Sequence, residues 1–392
     1  MFSDKINYNT EVNTLSKILL DKKNRGIEVF DLTESNPTKA GFIYNTNEIL
    51  NSIAKPDSMQ YNPDPKGIIS ARSAVKKYYA DMGLSVKEDN IFITSSTSEA
   101  YSYIFKLITN PYDKILFPSP GYPLFSFIAE MESVTIKNYK LKYSNDAGYR
   151  IDFKSLESGI SDRTKAIVLV NPNNPTGNYL DKADRAELLN ICKSKNLSLI
   201  CDEVFLDYSF KADKRNNSTA SIDDVLTFTL SGISKICGLP QFKLSWIIIS
   251  GRSDLCDKAR AGLEIISDTF LSVGTPIQLG IEGILKGRNQ FIRQVSERTE
   301  RNYSLLTETF NGSKHTEILP VEGGWYAVIK ISDSIDEEKF VCGLLENENV
   351  YVHPGYFFDI EIMNCLVISL LTKTEIFKKG IEIIKKQTEN LI

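Results

Sequence analysis

Short apolar runs alternate along this chain with stretches whose apolar residues recur at helical spacing. Residues 9–22 place Val12, Leu15, Ile18 and Leu19 on one face of a helix. Val29–Thr33 is a short predicted strand that runs into the loop Glu34-Ser-Asn-Pro-Thr38. The turn cluster Tyr61-Asn-Pro-Asp-Pro-Lys-Gly67 delivers the chain into a helix from Ile68 to about Met82. Beyond it the pattern predicts strands at Asn90–Thr94, Lys114–Phe117, Ala166–Val170, Leu197–Asp202, Leu226–Leu230 and Trp246–Ser250. Helices are predicted over Thr97–Thr109, Tyr122–Met131, Lys182–Ser194, Leu255–Ile266 and Arg288–Phe310.

Buried strands alternating with helices indicate an α/β fold, a mainly parallel sheet covered on both faces. From Gly323 the style changes. Strands at Trp325–Ile331, Val350–His353 and Leu366–Leu370, with helices near 335–347 and 373–389, read as a smaller α+β unit. The expected division is a large domain over 46–285 and a small one combining 1–45 with 286–392. The 23-residue helix Arg288–Phe310 would link the two.

Composition narrows the function. A chain of 392 residues, 42% hydrophobic, can bury a large core. Net charge is −4 with both signs interspersed, which argues against a nucleic-acid partner. No apolar run reaches the roughly 18–20 residues of a membrane span, and no signal peptide is read at Met1-Phe-Ser-Asp-Lys-Ile-Asn, so a cytoplasmic location is expected. The six cysteines show no metal-type spacing and read as reduced thiols; no metal site is expected. Only two histidines occur, His315 and His353, a poor basis for a serine-hydrolase triad or a catalytic zinc. Lysine or a cofactor must then carry any chemistry.

Five segments fall at the carboxyl ends of predicted strands, where open α/β sheets bind ligands. Thr94-Ser-Ser-Thr-Ser98 opens a helix, so Ser96 and Thr97 suit a phosphate; an ordinary N-cap is the plainer reading. Tyr122 in Pro118-Ser-Pro-Gly-Tyr122 could stack on a ring or belong to the core. Asn174 in Asn171-Pro-Asn-Asn-Pro-Thr-Gly177 offers an amide donor from a loop fixed by prolines. Asp202 ends a strand and, buried, needs a cationic partner such as a protonated pyridine; a helix cap is the alternative. Lys235, in Ser231-Gly-Ile-Ser-Lys235, could attack an aldehyde if burial strips its proton, although a lone lysine after a strand is usually solvated. In this order the segments point to pyridoxal 5'-phosphate.

With these motifs nearly the whole chain, from Asp31-Leu-Thr-Glu-Ser-Asn-Pro-Thr38 to Leu370, resembles the pyridoxal-phosphate aminotransferases of the aspartate-aminotransferase-like family. The resemblance implies fold type I, a mainly parallel seven-stranded sheet with a smaller α+β domain. It implies that Lys235 forms the Schiff base and shuttles protons, and that Asp202 pairs with the pyridine nitrogen. Asn174 would donate to the phenolic oxygen, and Tyr122 would stack on the ring. Ser96, Thr97 and Ser234 match phosphate positions. Tyr61 matches a tyrosine that reaches the neighbouring subunit's phosphate, which implies a homodimer with shared sites.

Four departures accompany the resemblance. Lys243 stands where an arginine is usual, keeping the charge and losing the bidentate fork. Phe205 replaces a tyrosine that donates to the phenolic oxygen, so the imine is expected to stay protonated nearer neutral pH. Gly232 occupies a position usually small or hydroxylated. Val367 stands where an arginine normally grips the substrate carboxylate. Lys39, beside Ser35 and Asn36, is the candidate cation on that side; a solvated loop lysine is its plainer reading. The expected activity is transfer of an amino group between an amino acid or related amine and an oxo acid. A lyase or decarboxylase on the same fold, and a cofactor-binding regulator, are the competing readings. Too few residues precede Asp31 for a winged helix, which weighs against the regulator.

Overall fold

The computed structural model describes residues 2–3, 5–6, 12–210, 214–360 and 364–390. Its centre is an eight-stranded sheet. In spatial order the strands are Ile91–Thr94, Ser245–Ser250, Thr227–Gly232, Ser198–Asp202, Thr164–Val170, Lys114–Ser119, Thr135–Ser144 and Gly148–Ile151. The five from Thr227–Gly232 to Thr135–Ser144 are parallel, and Ser245–Ser250 runs antiparallel to both its neighbours. The count exceeds the expected seven by one. The extra strand, Gly148–Ile151, folds back on Thr135–Ser144 as an antiparallel hairpin at the sheet edge.

The central strands are continuous apolar runs because helices cover both faces. Phe228, Leu230, Ile200, Val168 and Ala166 pack beneath the helix Thr97–Ile108, and Leu199, Cys201, Ile167 and Leu169 pack on the other side. Along the 23-residue helix Arg288–Phe310 one face is buried: Phe291, Val295, Thr299, Asn302, Leu306 and Phe310. The Asn302 amide donates to the carbonyls of Leu370 and Thr372 at 2.9 and 2.7 Å, which pins this helix to the smaller sheet.

The smaller sheet joins Thr316–Ile318, Tyr326–Ile331, Cys365–Ser369 and His353–Pro354, all antiparallel. Its core also takes Leu15 and Leu32 from the N-terminal segment. The strand expected over Val350–His353 is divided. Val350–Tyr351 pairs in parallel with Phe30–Asp31, the remnant of the expected Val29–Thr33, and His353–Pro354 joins the other sheet. The first helix runs Thr14–Asn24, capped by the Asn13 side chain; residues 9–11 of the expected helix lie outside the described residues.

Gly232 has a steric explanation. A Cβ there would lie 2.2 Å from Ser245 Oγ and 2.8 Å from its Cβ. Gly232→Ser is expected to destabilise the protein by about 1–3 kcal/mol. Adding Ser245→Gly should recover most of that loss in thermal denaturation, and a double variant no better than the single would contradict the packing argument.

Candidate active site

Strand pairing brings the sequence candidates to one edge of the large sheet. Thr94 and Gly232 both lie opposite Ser245. Asp202 lies opposite Leu230 on one side and Val170 on the other. The segments that follow Thr94, Val170, Asp202 and Gly232 therefore emerge side by side, as does the turn holding Lys243 before Ser245.

Lys235 lies on the short helix Ile233–Ile236 directly after its strand. Tyr208 fixes its backbone by donating a hydrogen bond to the Lys235 carbonyl at 2.6 Å. The Lys235 Nζ sits 5.0 Å from the Trp325 ring centre and 5.5 Å from that of Phe205. Burial pushes its pKa down to about 8, and the Asp202 charge opposes that fall.

Asp202 is 5% exposed. Its carboxylate accepts from the Val204 N–H at 3.1 Å and, at the long distance of 3.5 Å, from the Tyr101 hydroxyl. Desolvation dominates and raises its pKa to about 6, while those two donors and Lys235 pull the other way. Neighbouring Glu203 is also buried and held near 6, but its oxygens are saturated by Ser218 and Thr219. Of the two carboxylates, Asp202 is the one left short of donors.

The Asn174 loop joins this edge through the Asn171 N–H, which donates to the Asp202 carbonyl at 2.9 Å. Asn173 reaches across to the Pro120 carbonyl at 3.1 Å, tying the loop to the turn that carries Tyr122. Asn174 Oδ1, Ser231 Oγ and Trp325 Nε1 are buried with no protein hydrogen-bond partner. Buried polar groups in native proteins are almost always paired, so such loose ends around a lysine and an under-bonded aspartate fit a bound polar ring. At the helix start Ser96 Oγ caps the Glu99 N–H, and Glu99 accepts from the Ser95 N–H. Ser96, Thr97 and Ser234 are half-buried, and Lys243 is exposed in a left-handed turn, φ 52°.

Three candidates stand apart from this cluster. The Tyr61 side chain is 81% exposed. Lys39 is also exposed, on a turn closed by its N–H to the Asn36 carbonyl. Asn36 uses its Oδ1 on Thr38. Ser35 lies beside the Tyr326 hydroxyl and pulls its pKa down, against the rise that burial causes. Val367 is fully buried between Val328 and His353 in an apolar cluster.

Trp325, Tyr326 and Glu34 escaped the sequence reading. The available signal was Gly323-Gly324 immediately before an aromatic pair that opens a strand. A cavity of about 660 Å³ lies at the opposite edge of the sheet, lined by Lys165, Ser198, Leu226 and Arg252 among others. It holds neither the buried lysine nor a carboxylate short of donors, so the chemistry belongs at the Lys235 edge. Among the described residues no group of three histidine, cysteine, aspartate or glutamate side chains could hold a metal, and no helix is long and apolar enough to cross a membrane.

Comparison with known proteins gives the family and the fold. The sequence profile "Aminotransferase class I and II" matches residues 28–384. Glutamate-pyruvate aminotransferase AlaA of Haemophilus influenzae is 27% identical over 88% of this chain and 86% of its own length. Tyrosine aminotransferase of Dictyostelium discoideum is 28% identical over 83% of this chain and 82% of its own. An Escherichia coli aminotransferase structure superposes with a TM-score of 0.85 at 24% identity, covering 99% of this chain and 98% of the other. The alanine aminotransferase of Pyrococcus furiosus superposes with a TM-score of 0.88 at 21% identity, covering all of both. The chain belongs to the class I and II aminotransferases, a pyridoxal-phosphate-dependent family of transaminases, and has their fold.

Proposed function

We propose that Lys235 carries the transamination, with pyridoxal phosphate held between the sheet edge and the smaller sheet. The observation that carries this reading is an interior amine with a pKa near 8, set beside an under-bonded buried carboxylate. Bound there, the cofactor supplies the aldehyde that takes the amino group and a ring that accepts electron density. Asp202 would face the ring nitrogen and keep it cationic. Asn174 would reach the phenolic oxygen, and Tyr122 would stack. Ser96, Thr97 and Ser234 would hold the phosphate, with Lys243 as a point charge. Lys235 would take the proton from the donor's amine-bearing carbon and return it on the cofactor side. Its flexible stem suits that movement, and its lowered pKa leaves it able to act as a base near neutral pH.

Tyr61 supports a homodimer: exposed in one chain, it is free to complete the phosphate site of a second. Burial of Leu15 and Leu32 with the C-terminal strands supports a small domain made of 1–45 and 286–392 around the large one, 46–285. A cytoplasmic location accords with six free cysteines. Donors and acceptors are taken to be amines and oxo compounds of the kind the relatives' names print, among them glutamate with pyruvate, and tyrosine.

Adding donor without acceptor should convert the bound cofactor stoichiometrically to its amino form, with loss of visible absorption. Steady release of oxo product and ammonia would instead mark a lyase. The pKa also sets a pH dependence. Capture of the cofactor needs the neutral amine, whose fraction grows with pH until about 8. The rate of cofactor attachment to cofactor-free protein should climb roughly tenfold per pH unit below that value and level off above it. A stopped-flow profile still rising at pH 10 would contradict the buried amine.

A further inference from the structure

We propose that Arg72 is a positioning residue for the cofactor phosphate of the neighbouring subunit: buried in its own chain, it sets the loop that presents Tyr61 to the other. This rests on the reading of Tyr61 as part of a homodimer's shared site. The loop 61–67 is exposed at one end and fixed at the other. Tyr61 is 81% exposed, with Asn62 and Pro63 exposed beside it, and Gly67 is buried. Where the Tyr61 hydroxyl points is therefore decided by the backbone at the buried end.

At that end the Lys66 carbonyl accepts from the Ile93 N–H at 2.9 Å, which ties the loop to the strand Ile91–Thr94. Gly67 has φ 88°, and a Cβ there would lie 2.5 Å from Ile93 Cγ1, so this approach needs glycine. The Ile68 N–H donates to Gln278 Oε1 at 2.8 Å. The same strand runs on to Ser96 and Thr97. The loop that would serve the neighbour's phosphate is thus anchored on the strand that leads to its own chain's phosphate segment.

Arg72 stands at the centre of this anchor. It lies on the helix Ile69–Ala80 that follows the loop and is 5% exposed. Its Nε donates to the Gly67 carbonyl at 2.8 Å, and its Nη2 lies 3.5 Å from the Asp64 carboxylate. Its Nη1 lies 3.6 Å from Asp89 and 3.9 Å from Glu88. Asp64 in turn closes the loop on itself: its carboxylate accepts from the Lys66 N–H and its carbonyl from the Gly67 N–H, both at 2.9 Å. One guanidinium therefore grips the loop at two points, Asp64 and Gly67, and holds both to the turn at 88–89.

Packing alone does not call for a charge here. The other buried residues of the helix are Ala71, Ala74, Val75, Tyr78 and Tyr79, and an apolar side chain would serve that face without the cost of desolvating a guanidinium. What arginine adds is geometry, because its planar fork holds several partners in fixed directions. Asp64 is three residues from Tyr61, and Pro63 and Pro65 on either side of it restrict the backbone. An orientation set at Asp64 is thereby carried to Tyr61. Releasing the grip leaves the hydroxyl attached but misplaced for an acceptor on another chain.

The test uses mixed dimers in which one subunit carries Lys235→Ala, so that only the other gives the absorption band of cofactor bound through the lysine. A pyridoxal phosphate titration then reads the affinity of that one site, and the dimer altered only at Lys235 is the reference. With Arg72→Met and Lys235→Ala on different chains, the absorbing site receives Tyr61 from an intact loop and should keep the reference affinity. That result also shows that the Arg72→Met chain folds. With both substitutions on one chain, the absorbing site belongs to an unaltered subunit but receives Tyr61 from the altered loop. Its dissociation constant should rise about tenfold or more, the scale of one hydrogen bond to a charged group. The reverse pattern, or equal affinities in the two arrangements, would overturn the inference. Tyr61→Phe in place of Arg72→Met should reproduce the expected pattern. If it does and Arg72→Met does not, only the role of Arg72 falls; if it does not, the shared-site reading falls and takes this inference with it.

Discussion

Lys235→Ala is expected to lower turnover by roughly 10⁴-fold, the upper end of what positioned proton transfer contributes. The substitution removes two functions at once: the amine that captures the cofactor and the base that moves the proton. Little of the fold depends on that side chain. The local backbone is fixed by the Tyr208 hydroxyl to the Lys235 carbonyl, a bond alanine keeps. The Lys235 Nζ contributes contacts to the Phe205 and Trp325 rings and an attraction to Asp202, outweighed by a desolvation cost that lowers its pKa to about 8. Thermal stability of the cofactor-free variant should therefore match or exceed wild type at neutral pH. Cofactor should still bind non-covalently through the phosphate positions and Asp202. The checks are a single-turnover rate, a melting curve and an equilibrium dialysis of cofactor. Near-wild-type turnover in a folded variant would remove Lys235 from the mechanism.

The central strands were legible because each is a continuous apolar run, and burial on both faces leaves no other pattern. Thr135–Ser144 was not, because most of its side chains are exposed or half-exposed at the sheet edge: only Tyr139 and Leu141 are buried. Its register comes from pairing with Lys114–Ser119, which no local signal encodes. The helix Thr275–Lys286 was not anticipated although it buries Ile277, Ile281, Ile284 and Leu285 at helical spacing; Gly280 and Gly283 lower its intrinsic helix propensity. Pro276 stands in the first turn, where proline is tolerated.

The site divided along the same line. Asn174, Asp202 and Lys235 follow strands of one sheet, so strand ends read from the sequence brought them together. Trp325 and Tyr326 lie at the start of a strand of the smaller sheet and Glu34 in the N-terminal loop, and only tertiary contact places Trp325 beside Lys235 and Tyr326 beside Phe205. Lys39 is the converse case. Sequence proximity to Ser35 suggested a role, yet the turn at Asn36 sends its side chain into solvent.

Asp202→Asn should have opposite effects on the empty protein and on the loaded one. Without cofactor, burial raises the carboxyl pKa from 3.8 to about 6. A raised carboxyl pKa means the native state holds its proton more tightly than the unfolded chain. The stability it contributes is present below pH 4 and disappears as pH climbs through 6. Above 6 the buried anion costs the fold about 1–3 kcal/mol, and asparagine escapes that cost. Cofactor-free Asp202→Asn should then be the more stable protein at pH 8, with the advantage gone by pH 4. The loaded protein should lose. A hydrogen bond to a charged group is worth about 1.5–3 kcal/mol, so cofactor affinity should fall roughly 10- to 150-fold. The ring nitrogen would no longer be held cationic, and turnover of the saturated variant should drop by about 10²–10³-fold, the usual consequence of removing one preorganised electrostatic partner. Paired melting curves at pH 4 and 8, a cofactor titration and a saturating rate separate the three effects. A variant less stable than wild type at pH 8 without cofactor would mean that Asp202 serves the fold, through Val204 and Tyr101, more than it serves the cofactor.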